Sequence, residues 1–291
     1  GCDNREFDRP HQVALDPRGN AYVTDAGNNR VQVFDAEGNF QRTFGSKRCK
    51  PDVLHHPEAI ALIDHEDKWY YYQEDFLVVA DRGGRRLNKF TLNGKRLASI
   101  ESEEIGLRDA HFGYLAIDYY GNVYVTDQVN SQIHKFDRNL RFIASFGRRG
   151  TGEKEFISPR GIGLWRRFGQ VVILEQEGVQ YYWIGVDADL RGCFPRKFGK
   201  NQPGTTVSLY LTEPASVKMK IYDSENNLVR DLLPQFKQYP FENEVLWDGL
   251  DSQGNVVEPG VYRIEITLEP TYSSRGYFKK SIEAEVECVG D

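Results

Sequence analysis

Long apolar runs are missing from this 291-residue chain. Nowhere do eighteen apolar residues follow one another, which excludes a helical membrane span. Cysteine is scarce: four residues, Cys2, Cys49, Cys193 and Cys288, are too few for a disulfide scaffold. An excess of positive charge is missing as well. Residues 1–200 carry 29 Lys+Arg against 28 Asp+Glu, and residues 201–291 carry 8 against 15. The acidity therefore sits in the last third, and nothing supplies the basic stripe that phosphate neutralisation needs, which argues against a nucleic-acid partner. Common catalytic signatures are lacking too, with no Gly-x-Ser-x-Gly elbow, no His-Glu-x-x-His and no Gly-x-x-x-x-Gly-Lys-Ser/Thr loop.

What is present is repetition. Between Pro10 and Gly45 lie four short alternating runs, Val13–Asp16, Ala21–Thr24, Arg30–Phe34 and Phe40–Phe44. Asp-Pro-Arg-Gly-Asn at 16–20 and Asp-Ala-Glu-Gly-Asn at 35–39 supply glycine turns between antiparallel strands. One such sheet cannot bury its own faces and must stack on copies of itself. Further copies follow at Pro57–Ile100, at Leu115–Gly147 and, most degraded, at Pro159–Gly199. With Asp25, Asp81, Asp127 and Glu175 taken as equivalent, the spacings are 56, 46 and 48 residues by subtraction, the period of propeller blades. The recurring acid ends each second strand, where a short carboxylate can accept turn N–H groups. Arg30, Arg86, Gln132 and Gln180, five positions on, start each third strand within its reach. Asp25, Asp81, Asp127, Arg30 and Arg86 are accordingly structural fasteners. The unit resembles the NHL repeat, whose propellers are commonly six-bladed.

Asn201-Gln202-Pro203-Gly204 ends this pattern and reads as a linker. Beyond it come about six strands, with Val217, Met219 and Ile221 facing inward against Lys218 and Lys220, the signature of a β-sandwich. The run Trp247-Asp248-Gly249-Leu250-Asp251-Ser252-Gln253-Gly254, then Pro259-Gly260-Val261-Tyr262, resembles the FlgD-type immunoglobulin-like domain. That resemblance implies an appended assembly or adhesion module on a bacterial exported protein. Trp247 reads as a core anchor; Asp248 and Asp251 shape a turn, with calcium as the alternative.

Several departures from the repeat are candidate contact residues. An insertion at 64–75 carries Trp69, Tyr70, Tyr71 and Tyr72, which are either interface aromatics or internal packing. Arg82, Arg85 and Arg86 cluster, as do Arg148-Arg149 and Arg166-Arg167, which read as solvated loops; His65 and His134 read as surface residues. The residue after the proline ahead of each first strand is His11, Glu58, Gly113 by alignment, and Arg160. If these meet at a channel mouth, a site of His, Glu and Arg results. The sequence Arg-Pro-His-Gln-Val-Ala-Leu around His11 is similar to a zinc-binding motif of the peptidyl-hydroxyglycine amidating lyase. Glu58 and Arg160 stand where that resemblance would want histidine, and an arginine opposes a cation.

The chain begins Gly1-Cys2-Asp3-Asn4, which resembles the cleavage region of a bacterial lipoprotein and implies a lipid anchor on Cys2 and an extracytoplasmic location; a start left by trimming is the other reading. If four repeats close a ring, Cys49 and Cys193 could meet in a disulfide. If they do not close, either blades lie upstream of Gly1 or a second chain completes the ring, and bare sheet faces at both ends would favour association, a homo-oligomer among the possibilities.

The expectation is an all-β chain. Residues 1–200 form a small, four-bladed NHL-type β-propeller, with blades at 7–46, 56–103, 111–150 and 156–200. Residues 204–291 form an FlgD-like Ig-like β-sandwich. The function expected is non-enzymatic binding or scaffolding, without a cofactor, of a protein or glycan partner. The alternative is a propeller lyase or hydrolase using His11, Glu58 and Arg160. RNA binding, as in NHL domains of tripartite-motif proteins, is disfavoured by the charge balance.

Overall fold

A computed structural model describes residues 3–46, 54–176, 178–199, 201, 204–237, 239–272 and 274–290. Cys2, expected to carry a lipid anchor, and Cys49, expected in a disulfide, lie outside the described residues. The fold is all-β, a propeller-type array of sheets followed by an immunoglobulin-like sandwich. Contacts divide it into two units, Gly1–Tyr182 and Trp183–Asp291.

In the first unit, each sheet runs in meander order. Sheet one is β1 (Pro10–Leu15), β2 (Ala21–Asp25), β3 (Arg30–Phe34) and β4 (Phe40–Phe44). Sheet two is β5 (Ala59–Ile63), β6 (Phe76–Asp81), β7 (Arg86–Phe90) and β8 (Arg96–Glu101). Sheet three is β9 (Phe112–Ile117), β10 (Val123–Asp127), β11 (Gln132–Phe136) and β12 (Phe142–Phe146). A short parallel pair, β13 (Arg148–Arg149) with β14 (Glu155–Phe156), precedes a three-stranded fourth sheet of β15 (Gly161–Trp165), β16 (Gln170–Leu174) and β17 (Val179–Trp183).

The hairpins close on aspartates. Asp16, Asp118 and Asp137 each accept N–H groups from residues two and four positions on, which fixes the turn without outside help. Sheets then stack through apolar faces. Tyr22, Val31, Val33 and Phe44 of sheet one pack on Ile60, Leu62, Leu77 and Val79 of sheet two. The opposite face of sheet two, with Ala61, Val78 and Leu87, packs on Leu115, Val125 and Phe136 of sheet three. The first strands β1, β5, β9 and β15 converge on a cavity of about 250 Å³ lined by residues of all four sheets. Neighbouring first strands adjoin in the order β1, β5, β9, β15, but β1 and β15 do not come together as the others do.

An acid at the end of each second strand, buried in sheets one to three and part-buried in sheet four, locks its sheet. Asp25 receives Arg30 Nε at 2.7 Å, Gln32 Nε2 at 3.1 Å and the N–H of Asp8 at 2.8 Å. Asp81 receives Arg86 Nε at 2.7 Å, Asn88 Nδ2 at 2.9 Å and the N–H of His55 at 2.9 Å. In sheet three the side chain reaching Asp127 is His134, not Gln132: His134 Nε2 lies 3.0 Å from Asp127 Oδ2, while Gln132 turns to the carbonyl of Gly147. His134, read from sequence as a surface residue, is fully buried, with Ser145 Oγ at 2.7 Å on its other nitrogen. Glu175 is held by Gln180 Nε2 at 2.6 Å and takes the N–H of Ile157 at 2.8 Å.

The sandwich consists of β18 (Ala188–Phe194), β19 (Lys197–Gly199), β20 (Thr205–Leu211), β21 (Ala215–Tyr222), β22 (Leu228–Asp231), β23 (Gln235–Lys237), β24 (Phe241–Trp247), β25 (Gly260–Pro270) and β26 (Lys280–Val289). One sheet has the order β18-β20-β24 and the other β19-β26-β25-β21-β22, with β23 also on β21. Here the structure departs from the expected blade at 156–200. β18 pairs with β20 and β19 with β26, so residues 188–199 are sandwich strands and sheet four lacks a fourth strand. Cys193 is thereby a buried residue of the sandwich core. Trp247 is fully buried, donating from Nε1 to the carbonyl of Leu250 at 3.1 Å, between the rings of Phe198 and Tyr262. Asp251 spends its carboxylate on the N–H groups of Gln253 and Asn255, and Asp248 on that of Leu250, so the turn accounts for the acids otherwise readable as calcium ligands.

The fasteners should dominate stability. Asp81→Ala strands a buried guanidinium and should cost about 3–5 kcal/mol, whereas Asp35→Ala, in an exposed turn, should cost far less. Urea midpoints at neutral pH compare them, and equal losses would refute the ranking. For Asp127, burial pushes the carboxyl up, but hydrogen bonds from His134 and Asn130 outweigh it and hold it down at about 2. Because the folded value is depressed, its stabilisation is complete above the unfolded value and is lost as pH falls through the folded one. Unfolding free energy should therefore drop between pH ~4 and ~2, and Asp127→Asn should flatten that drop.

Candidate functional site

The first unit presents two polar clusters at the ends of its first strands. At the end where these strands begin, Glu58 and His111 form a pair, with His111 Nε2 at 3.0 Å from Glu58 Oε2 and both side chains partly buried. Glu58 is set by β5, where its N–H donates to Ala80. His111 is set by the loop before β9, where its N–H donates to Asp127 at 3.1 Å. The imidazole fits because residue 84 is glycine: a Cβ there would stand 2.9 Å from His111 Cδ2 and 2.6 Å from the N of Phe112. The hydrogen bond to Glu58 raises the His111 pKa against the opposing effect of burial. Glu58 is lowered first by His111, then by the fields of His11 and His56. Each partner thereby favours the charged form of the other.

Of the expected trio, Glu58 is thus joined to His111, two residues before the aligned position Gly113. His11 is exposed and contributes through its field alone among the described contacts. Arg160 is exposed ahead of β15, and its N–H donates to Leu174 at 2.7 Å; no described contact joins it to Glu58. Just inside the mouth, Gln12 ties three sheets together. Its N–H donates to Thr24 Oγ1, its Oε1 accepts from the N–H of Ile60 at 3.1 Å, and its Nε2 reaches the carbonyl of Gly113 at 3.2 Å.

At the opposite end a cup of about 350 Å³ is lined by Asp16, Asp64, Glu66, Asp67, Lys68 and Arg166, among others. Its volume is at the lower bound of small-molecule sites. Arg166 is no solvated loop residue. Its Nε donates to the carbonyl of Ile117 at 2.9 Å, its Nη2 to that of Leu62 at 3.2 Å, and Nη1 pairs with Asp67. Asp64 is fully buried and engaged by Arg18 at 3.0 Å. Ligand atoms of Asp64, His65 and Asp75 lie within 4.8 Å of one another, but Asp64 is already paired and His65 Nδ1 lies 2.6 Å from Asp75 Oδ1.

The insertion at 64–75 serves mainly internal packing. Tyr70 is buried against sheets two and three, and the N–H of Tyr71 donates to Tyr119 at 2.9 Å. Tyr71 stays 43% exposed while touching Tyr72, Tyr119 and Tyr120. Trp69 is partly buried between the cations of Lys68 and Arg167, each 5.3 Å from its ring centre. Arg82 is engaged by Glu101 at 2.7 Å, whereas Arg85 is exposed.

Comparison with known proteins agrees with this architecture. Residues 7–34 match the NHL repeat and residues 197–271 match the FlgD Ig-like domain. The chain thus holds a segment that matches the NHL repeat and, after it, one that matches the FlgD Ig-like domain. Protein brain tumor of Drosophila melanogaster is 22% identical over 147 residues, 50% of this chain and 13% of that protein. Protein lin-41 of Caenorhabditis elegans is 48% identical over 40 residues, 14% of this chain and 4% of that protein. The chain therefore spans a small part of either relative. Among solved structures, PorZ, described as an essential bacterial surface component of the type-IX secretion system of Porphyromonas gingivalis, aligns with TM-score 0.48 and 14% identity over 97% of this chain and 39% of its own. A streptogramin B lyase aligns with TM-score 0.40 and 11% identity over 97% of this chain and 86% of its own. No helix among the described residues is long and apolar enough to cross a membrane.

In the NHL unit, His111 belongs with Asp8, His55 and Ile157, the loop residues whose N–H groups reach the four fastening acids. That register was the available signal for it. The Glu58 pair has a direct test. In Glu58→Gln the His111 pKa should fall toward the ordinary imidazole value, read by NMR titration. Since the folded value is raised, the stability from this pair is complete below pH ~6.5 and is lost as pH rises through the folded pKa. The variant should be less stable than wild type at pH 6 and closer to it at pH 9. An unmoved His111 titration would show that the pair does not exist in solution.

Proposed function

We propose that the chain is a non-enzymatic binding or scaffold protein that acts outside the cytoplasm. The NHL loops contact a protein or glycan partner, and the FlgD Ig-like domain serves assembly or surface attachment. The observation that carries this reading is how the polar groups at the two ends of the first strands are used. Gln12 and Arg166 tie sheets together, Asp64 and Asp67 are paired with arginines, and Glu58 is paired with His111. A general base or nucleophile needs a group left available to a substrate. The partner-facing surface on this reading is the rim of the insertion, where exposed Tyr71 and half-covered Trp69 stand beside Lys68 and Arg167. Aromatic and arginine side chains are what interface centres favour.

A lyase or hydrolase working at Glu58 and His111, with His11 beside them, is the second reading. The half-buried carboxylate–imidazole pair favours it, since such pairs move protons.

The two readings separate in one set of variants. Trp69→Ala with Tyr71→Ala should weaken binding on protein and glycan arrays about tenfold, while Glu58→Gln leaves the array signal unchanged. Turnover of any ester, glycoside or lactone substrate that disappears in both Glu58→Gln and His111→Asn would overturn the scaffold reading in favour of the enzyme.

A further inference from the structure

Strand β26 is paired along only part of one edge. On one side β25 accompanies it from Lys280 to Cys288 in unbroken register. On the other side β19 covers Glu287, Cys288 and Val289. There the N–H of Glu287 donates to the carbonyl of Arg196 at 3.0 Å. Main-chain groups alternate sides along a strand, so those of Ser281, Glu283 and Glu285 point the same way, where β19 does not reach. No strand among the described residues pairs with them on that side. Beside this open stretch lies a groove of about 500 Å³ between β18 and β26. Leu190, Cys193 and Ala284 contribute its apolar lining, and Arg196, Arg263, Glu283 and Glu285 its charges. Arg263 and Glu283 neutralise each other at 2.8 Å. Glu285 and Arg196 are exposed, and no described side-chain contact joins either to a partner.

We propose that this edge takes an extended peptide as an added strand, the carboxyl-terminal tail of a partner protein with a basic residue near its end. Three features select that occupant. The first is the main chain. Ser281, Glu283 and Glu285 each present one N–H and one C=O at strand spacing, a pattern that another extended polypeptide matches. The second is the order of the unused charges. Glu285 lies one alternation before Glu287, and Arg196 lies beside Glu287. A tail running parallel to β26 sets a lysine or arginine within reach of Glu285 and ends with its carboxylate at Arg196, where β19 takes over. The reverse direction would bring an amino terminus to that guanidinium. The third is what the edge rejects. Two copies of it laid side by side would bring rows of Glu283 and Glu285 together on one face, and like charges across a strand pair are destabilising. The proposal gives a chemical form to the assembly role of the FlgD Ig-like domain and rests on that part of the reading. The NHL loops, tested through Trp69 and Tyr71, take no part in it.

Fluorescence anisotropy of the whole chain tests it with the peptide Val-Thr-Val-Lys-Val, labelled at its amino end and closed by a free carboxylate. A dissociation constant below about 100 µM is expected, with amide exchange at Ser281, Glu283 and Glu285 slowed by the peptide. Amidating the peptide's terminus, or N-methylating its internal valine, whose N–H would face β26, should weaken binding at least about tenfold. Glu285→Lys should do the same with the thermal midpoint unchanged, and a peptide carrying glutamate in place of lysine should recover the affinity. Arg196→Gln should weaken the free-carboxylate peptide and leave the amidated one as it is. No binding at about 1 mM peptide, equal binding of the amidated peptide, or binding indifferent to Glu285→Lys overturns the proposal. Each of these leaves the array test of the NHL loops to stand or fall by itself.

Discussion

The first unit depends on a carboxylate at the end of each second strand, buried in the first three sheets and part-buried in the fourth. Its oxygens accept the N–H of the incoming loop on one side and, on the other, a side chain from the third strand of the same sheet. Removing it would leave several donors unpaired in a dry place, which costs far more than the bond itself contributes. The same acid thus fixes where the chain enters the sheet and how the second and third strands are held. Asp25, Asp81, Asp127 and Glu175 all take these two kinds of partner. What varies is the third-strand donor: arginine twice, then a histidine, then a glutamine. The carboxylate is constant in role because loop N–H groups do not vary with side chain.

This constraint also positions the part-buried pair of Glu58 and His111. His111 sits beside Glu58 because its own N–H is pinned by Asp127 and because Gly84 yields space to its ring. Sheet two supplies the acid and the loop into sheet three supplies the base, so the pair bridges a seam between sheets. A seam-bridging ion pair of this sort is explained by packing before it needs a substrate. That weighs toward binding, where loops on a rigid array present side chains without needing one of them reactive.

Much of this was legible in sequence, and the exceptions have physical causes. Turn aspartates, strand alternation and the recurring acid are local signals, and local signals gave sheets one to three with their fasteners at Asp25–Arg30 and Asp81–Arg86. The third fastener misled because two positions, Gln132 and His134, lie on the same face of β11, and only packing decides which reaches Asp127. The end of sheet four misled for a different reason. Phe198-Gly199 repeats the Phe-Gly endings at 44–45 and 146–147, yet the ring of Phe198 packs on Trp247 and its backbone runs beside Cys288. A strand's alternation records that it has one buried face, never which sheet supplies the partner. Gln12 and Arg166 were invisible for the same reason, since bonds linking three sheets carry no sequence periodicity.

That loss of the outer strand has a consequence for how the array can be used. Sheets one to three are four-stranded, and sheet two is covered on both sides, so its residues answer to packing alone. Sheet four is covered on one side only, and its chain leaves for the sandwich after β17. On its far face Trp165, Val172 and Leu174 are partly exposed. An interior face retained at a surface is a cost in water that scales with its apolar area, and it persists most readily where something regularly covers it.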